Sequence, residues 1–106
     1  MPRYMFEASY TLEGVRGIQS GGGSARRDAI AQTVESVGGK LLSLDFAFGS
    51  SDVYAICELP DNEAATAVAL AVNASGRTTT KTVVLLTPEE VDAAAQRSVP
   101  YRAPGQ

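Results

Sequence analysis

Asp52 closes the sharpest turn signal in the chain, Gly49-Ser50-Ser51-Asp52, and a carboxylate at the mouth of a sheet can serve as a general base once burial raises its pKa. The alternative is turn chemistry, in which the Asp side chain accepts hydrogen bonds from nearby backbone N–H groups. Asp52 and Tyr10 are the candidate catalytic residues on this reading. Arg16 and Arg27 are candidates for holding an anionic ligand, because the guanidinium fork matches a carboxylate in shape and charge. A solvated helix face or a salt bridge between subunits would use the same two arginines. Tyr10 and Tyr54 offer phenol groups to a ligand, set against the commoner role of strand aromatics in packing. Glu7, together with Asp45, Glu58 and Lys81, completes a polar set, for which a buried Glu7 to Lys81 pair fixing dimer register is the structural alternative.

Other chemistry is excluded by what the chain lacks. There is no histidine, so the usual general base near neutral pH and the commonest transition-metal ligand are both missing. Neither a metal nor a cofactor is expected. A hydrolytic triad finds no nucleophile and base to build on. The acids are scattered and do not alternate as in a calcium loop. The single cysteine, Cys57, rules out an internal disulfide and sits in an apolar run as a small buried hydrophobe. Gly21-Gly22-Gly23 does not open a phosphate loop, because Ser24-Ala25-Arg26-Arg27 follows where Gly-Lys-Ser/Thr would be needed.

The chain of 106 residues, 44% of them hydrophobic, suffices for one compact core and no more. A net charge of −3 with no basic stripe makes nucleic acid an unexpected partner. No apolar run approaches the ~20 residues that span a bilayer, and the pattern turns strand-like at Arg3 without the apolar segment of a signal peptide. A cytoplasmic protein is expected, with no membrane attachment.

These residues need a scaffold, and the periodicities supply one. Arg3 to Tyr10 alternates Tyr4, Phe6, Ala8 and Tyr10 with Arg3, Met5, Glu7 and Ser9, the period of a half-buried strand. Thr11 caps a short helix that Gly14 and Gly17 keep to one or two turns, and Gln19 to Ser24 reads as a flexible connector. A helix from Ser24 to about Val37 stops at Gly38-Gly39. Lys40 to Phe48 and Asp52 to Leu59 form a hairpin, with Leu42, Leu44, Phe46 and Phe48 on one face of the first strand and Leu41, Ser43, Asp45 and Ala47 on the other. Gly49 and Asp52 are the turn positions that tolerate positive φ. Asp61 caps a helix to Ser75-Gly76, Arg77 to Leu86 is a β-branched strand, and Thr87-Pro88-Glu89-Glu90 opens a last helix that fades near Arg97.

The order β-α-β-β-α-β predicts an α+β fold of the ferredoxin-like kind, with a four-stranded antiparallel sheet, both main helices on one face and a C-terminal helix. The other face then carries Met5, Glu7, Ser9, Leu41, Ser43, Asp45, Tyr54, Ile56 and Glu58. Such a mixed surface suits partial burial against another subunit, with polar groups lining a cavity.

The chain resembles the GYD domain family, small bacterial and archaeal proteins placed among the dimeric α/β barrels. The matching residues are Tyr10-Thr11 with Gly14, Arg16 and Ile18, Arg26 or Arg27 at the helix start, Gly38-Gly39-Lys40, Phe48-Gly49 with Asp52, Glu58, Pro60-Asp61, Gly76 and the Thr-rich last strand. It departs from the family in the name-giving triplet, where Ser51 replaces the aromatic before Asp52 and Tyr54 stands two residues beyond. The resemblance implies protomers that pair sheet to sheet; residues 1–97 read as the domain, and 98–106, with two prolines, as a flexible C-terminal tail or an arm. Related superfamilies include cofactor-independent monooxygenases, muconolactone-isomerase-like proteins and stress-responsive domains. The leading expectation is an interaction or small-ligand-binding domain, a homodimer or higher homo-oligomer whose cavity between sheet and partner accepts a small organic molecule. The rivals are a cofactor-independent monooxygenase- or isomerase-type enzyme for an acidic or phenolic compound, and a purely structural assembly module.

Overall fold

A computed structural model describes residues 1–106. In chain order the elements are β1 (Arg3–Tyr10), α1 (Leu12–Gly21), α2 (Gly23–Ser36), β2 (Lys40–Phe46), β3 (Val53–Glu58), α3 (Asn62–Ala74), β4 (Thr78–Leu85) and α4 (Pro88–Ala95). The strands form one sheet in the order β2-β3-β1-β4, and every pair is antiparallel. This is the expected ferredoxin-like arrangement, with a second helix, α1, inserted in the first crossover. No helix is long and apolar enough to cross a membrane.

The period of two in β1 has the predicted result: Tyr4, Phe6 and Ala8 are buried while the residues between them stay partly exposed. β3 repeats the pattern with Val53, Ala55 and Cys57. Val34 of α2 and Ala65 and Val68 of α3 close over these positions to make the core. Burying each larger side chain contributes about 1.5–3 kcal/mol relative to leaving it in water. Tyr4 keeps its polar end satisfied by donating to Asn62 Oδ1 at 2.6 Å.

Four local expectations are corrected. First, α1 is a full helix of ten residues and not one or two turns, and α2 starts only two residues after it ends, so the glycine connector shrinks to Gly22 at φ 85°. Tertiary docking outweighs the weak glycine propensity here. Thr11 accepts from the Gly14 N–H, its backbone N–H donates to the Arg77 carbonyl at 3.0 Å, and its hydroxyl reaches the Gly76 and Arg77 carbonyls at 3.2 Å. Gly14 makes the approach possible, since a Cβ there would collide with the Arg77 carbonyl oxygen.

Second, β2 carries a bulge between Leu41 and Ser43, and the extra residue reverses the parity of its first half. Leu41 pairs with Cys57 and packs on the core, whereas Leu42 is 39% exposed, the opposite of the alternation read from the sequence. Third, β2 ends at Phe46 and Phe48 stands fully exposed in the loop, so it is not a core position. Fourth, β3 begins at Val53 rather than Asp52, and the hairpin has no positive φ at either Gly49 or Asp52. A longer loop closes it, fixed by the Ala47 N–H donating to the Asp52 carbonyl at 2.8 Å.

After β4 the chain leaves the body. No residue of α4 is buried, and Leu86, Val91, Val99 and Tyr101 are all more than half exposed. The radius of gyration of 16.9 Å and longest extent of 57 Å measure that projection, against about 13 Å for a compact chain of 100 residues. α4 still forms as the sequence predicts, through a capping box between Thr87 and Glu90 with Pro88 at its start.

Candidate functional site

α2 leans over β2 and α3 over β4. A furrow is left between the two helices, and α1 flanks it at the end where β1 stops. The result is an open cleft of about 450 Å³, within the ~300–1,000 Å³ range of small-molecule sites. Gly17 and Gly21 on α1 leave their side of it free of side chains, since a Cβ at either would meet nothing within 4 Å. Ile18, Ile30 and Val72 give it an apolar wall, and Tyr10, Thr33, Ser75 and Thr78 add hydroxyl groups. Below the cleft a small apolar gap of about 40 Å³ reaches toward the sheet between Phe6, Val34 and Val53, and Tyr10, Arg26, Ile30, Val72 and Thr78 line both spaces.

Arg26 is the group with unspent chemistry. Its Nε is buried and has no hydrogen-bond partner, the one such side-chain atom in the protein. It takes no part in either ion pair, which are Arg27 to Asp28 at 3.3 Å and Arg77 to Glu13 at 4.0 Å. A buried donor left unpaired costs about 1–3 kcal/mol, and more when charged. The N-terminus of α2 compounds this, with Gly22 as a cap that supplies no side-chain acceptor and no acid in the first turn. Cationic side chains at that end oppose the helix dipole by about 0.3–1 kcal/mol each.

Sequence reasoning singled out Arg27 in preference to Arg26. Arg27 is exposed and bonded to Asp28 through both Nε and an Nη at 3.3 Å. The distinguishing signal was the spacing of Arg26, Ile30, Thr33 and Val34, which places Arg26 on the inward stripe of α2, about 100° from Arg27. Arg16 is exposed and lies outside the cleft lining.

Tyr10 lines the cleft, and the structure brings it next to Asp52: the Tyr10 backbone N–H donates to Asp52 Oδ2 at 2.8 Å, and the Asp52 N–H donates to the Ala8 carbonyl at 2.8 Å. The Asp52 side chain thus extends the pairing of β1 beyond the end of β3, a turn-type role exercised across the sheet. It is not part of the cleft lining. Ser51, at the place of the family's aromatic, is buried at 8% exposure.

Glu7 and Tyr54 occupy the other side of the sheet. Asp45, Tyr54, Glu7 and Lys81 form one cross-strand row over all four strands, beside a row of Ser43, Ile56, Met5 and Val83. Glu7 and Lys81 are register partners but make no ion pair, and Lys81 is exposed in the protomer. The open face therefore mixes apolar and polar groups as expected, while Leu41 has moved to the core side. Cys57 is fully buried in β3, and burial pushes its thiol up from 9.0 to about 11, which keeps it protonated and unreactive at neutral pH.

A family model described as GYD domain matches residues 4–95, from β1 to the end of α4. No curated protein and no solved structure matches the chain.

Proposed function

This chain belongs to the GYD domain family, and from that premise we propose that it is a homo-oligomeric protein whose helix-side cleft binds a small organic molecule. The observation that carries the reading is a cleft of about 450 Å³ lined by Arg26, an arginine that joins no ion pair and whose buried Nε bonds to nothing in the protein. An arginine without a protein partner, lining a cavity of ligand size, offers a ligand an interaction that the fold leaves unused. Binding is favoured over proton transfer because Tyr10 and the two arginines Arg26 and Arg77 are the only titratable residues in the lining. The lining holds no carboxylate, histidine or lysine to take up a proton. Asp52, the candidate base, is already engaged by the backbone of Tyr10.

Oligomerisation is supported by the open sheet face, where Met5 and Ile56 are half-buried and Val83 is 38% exposed, and by the projecting arm from Leu86 onward. A second copy of the chain would cover both. Light scattering after size exclusion is expected to give a dimer or larger species, and a stable monomer at micromolar concentration would end that part of the proposal. For the ligand, native mass spectrometry of protein taken gently from its host is expected to show a small adduct that Gly17→Leu abolishes, because Gly17 lines the cleft and a Cβ there meets no atom of the fold, so the added bulk takes up ligand space. Equal, clean ligand-free masses for both forms would count against the site.

A further inference from the structure

We infer that the ligand of this cleft is a carboxylic acid with an apolar body, held at its carboxylate by Arg26. The inference rests on the cleft being a ligand site and adds the chemical class. Arg26 presents a planar fork, and the edge that includes Nε matches the two oxygens of a carboxylate in a bidentate pair. That edge contains the partnerless donor, which is buried in the ligand-free chain, so the guanidinium turns its Nε edge toward the cleft as the carboxylate binds. The rest of the charge field agrees: the cleft lining contains Arg26 and Arg77 and no acid, and the neighbouring N-terminus of α2 has neither a capping side chain nor an acidic first turn. A negative group seated there satisfies the Nε donor and relieves the conflict between arginine and helix dipole together.

The body of the ligand follows from the apolar wall. Ile18, Ile30 and Val72 line the cleft, and the apolar gap continues beneath Arg26 between Phe6, Val34 and Val53. A free phosphate would use the charge and leave these surfaces uncovered. A nucleotide would bring more negative charge than one unpaired arginine can neutralise, since Arg77 is drawn toward Glu13. A monoanion with a hydrocarbon or aromatic body uses both halves. The Thr33 hydroxyl donates to the Ala29 carbonyl at 3.0 Å and the Ser75 hydroxyl to the Val72 carbonyl at 2.7 Å, which leaves Thr33 an acceptor for a ligand hydroxyl.

The test is isothermal titration of the full chain with two acids, octanoate and hydrocinnamate, each compared with its primary amide and with inorganic phosphate. At least one acid is expected to bind about ten- to a hundredfold more tightly than its amide, the worth of a charge-assisted bond. Arg26→Met is expected to erase that preference and Arg26→Lys to restore part of it, while Gly17→Leu removes binding of acid and amide alike. An acid and amide of equal affinity, with Arg26→Met indifferent, would overturn the carboxylate while leaving the cleft as a ligand site. Binding of phosphate alone would also overturn it. No binding of any probe, in protein shown to be free of host ligand, would overturn both readings.

Discussion

Arg26→Met in ligand-free protein separates an arginine kept for a ligand from one kept for the fold. The wild-type side chain buries Nε without a partner, a penalty of about 1–3 kcal/mol. It also adds a cation to the first turn of α2, which has no acid, for a further ~0.3–1 kcal/mol. Methionine removes both costs and refills the space of the arginine stem with an unbranched, adaptable apolar chain. The variant is therefore expected to be more stable by about 1–2 kcal/mol, or roughly 4 °C or more in Tm for a domain of this size. Urea unfolding followed by far-ultraviolet circular dichroism reads the difference, on samples refolded from denaturant to strip any ligand. Added hydrocinnamate should narrow the gap by stabilising the wild type alone, by about 2.7 kcal/mol at a hundred times Kd. A loss of 1 kcal/mol or more in the variant would refute the reasoning, because the guanidinium would then be contributing to the fold.

Other outcomes test the structure more widely. The thiol of Cys57 is raised in the folded state from 9.0 to about 11 by burial, so the unfolded chain gives up its proton first as pH rises. Its contribution to stability is complete below pH 9 and lost progressively between pH 9 and 11. The loss is about 2–3 kcal/mol, and Cys57→Ala should flatten that part of the stability profile measured by urea unfolding. Leu41→Ala should cost about 1–3 kcal/mol and Leu42→Ala less than half as much, because the bulge turns only Leu41 toward the core. Asp52→Ala should cost about 1–2 kcal/mol through the bond to the Tyr10 N–H, whereas Asp52→Asn keeps an acceptor and should cost less. Gly17→Ala meets no atom and should raise stability by about 0.5–1 kcal/mol in thermal unfolding.

The sheet was legible because its signals are local and redundant. Tyr4, Phe6 and Ala8 alternate without interruption, and Thr87-Pro88-Glu89-Glu90 names the start of α4 residue by residue. The parity of β2 was not legible, because a bulge is a property of two strands in register and Leu41-Leu42 looks alike on either side of it. α1 was underestimated for a similar reason. Gly14 and Gly17 weaken an isolated helix, and its support comes from Gly76 and Arg77, more than sixty residues away in sequence. The candidate site divided along the same line. Tyr10 was found because a tyrosine at a strand end is visible, but the choice between Arg26 and Arg27 turned on the exact phase of α2. That helix carries alanines on several sides, so its inward stripe is faint.

The most direct measurement is a crystal structure of the protein grown with hydrocinnamate. It should place the carboxylate within about 2.7–2.9 Å of Arg26 Nε, with the ring between Ile18, Ile30 and Val72. Density for the acid elsewhere, or an Arg26 Nε bonded to a protein carboxylate or carbonyl with the cleft empty, would contradict the account.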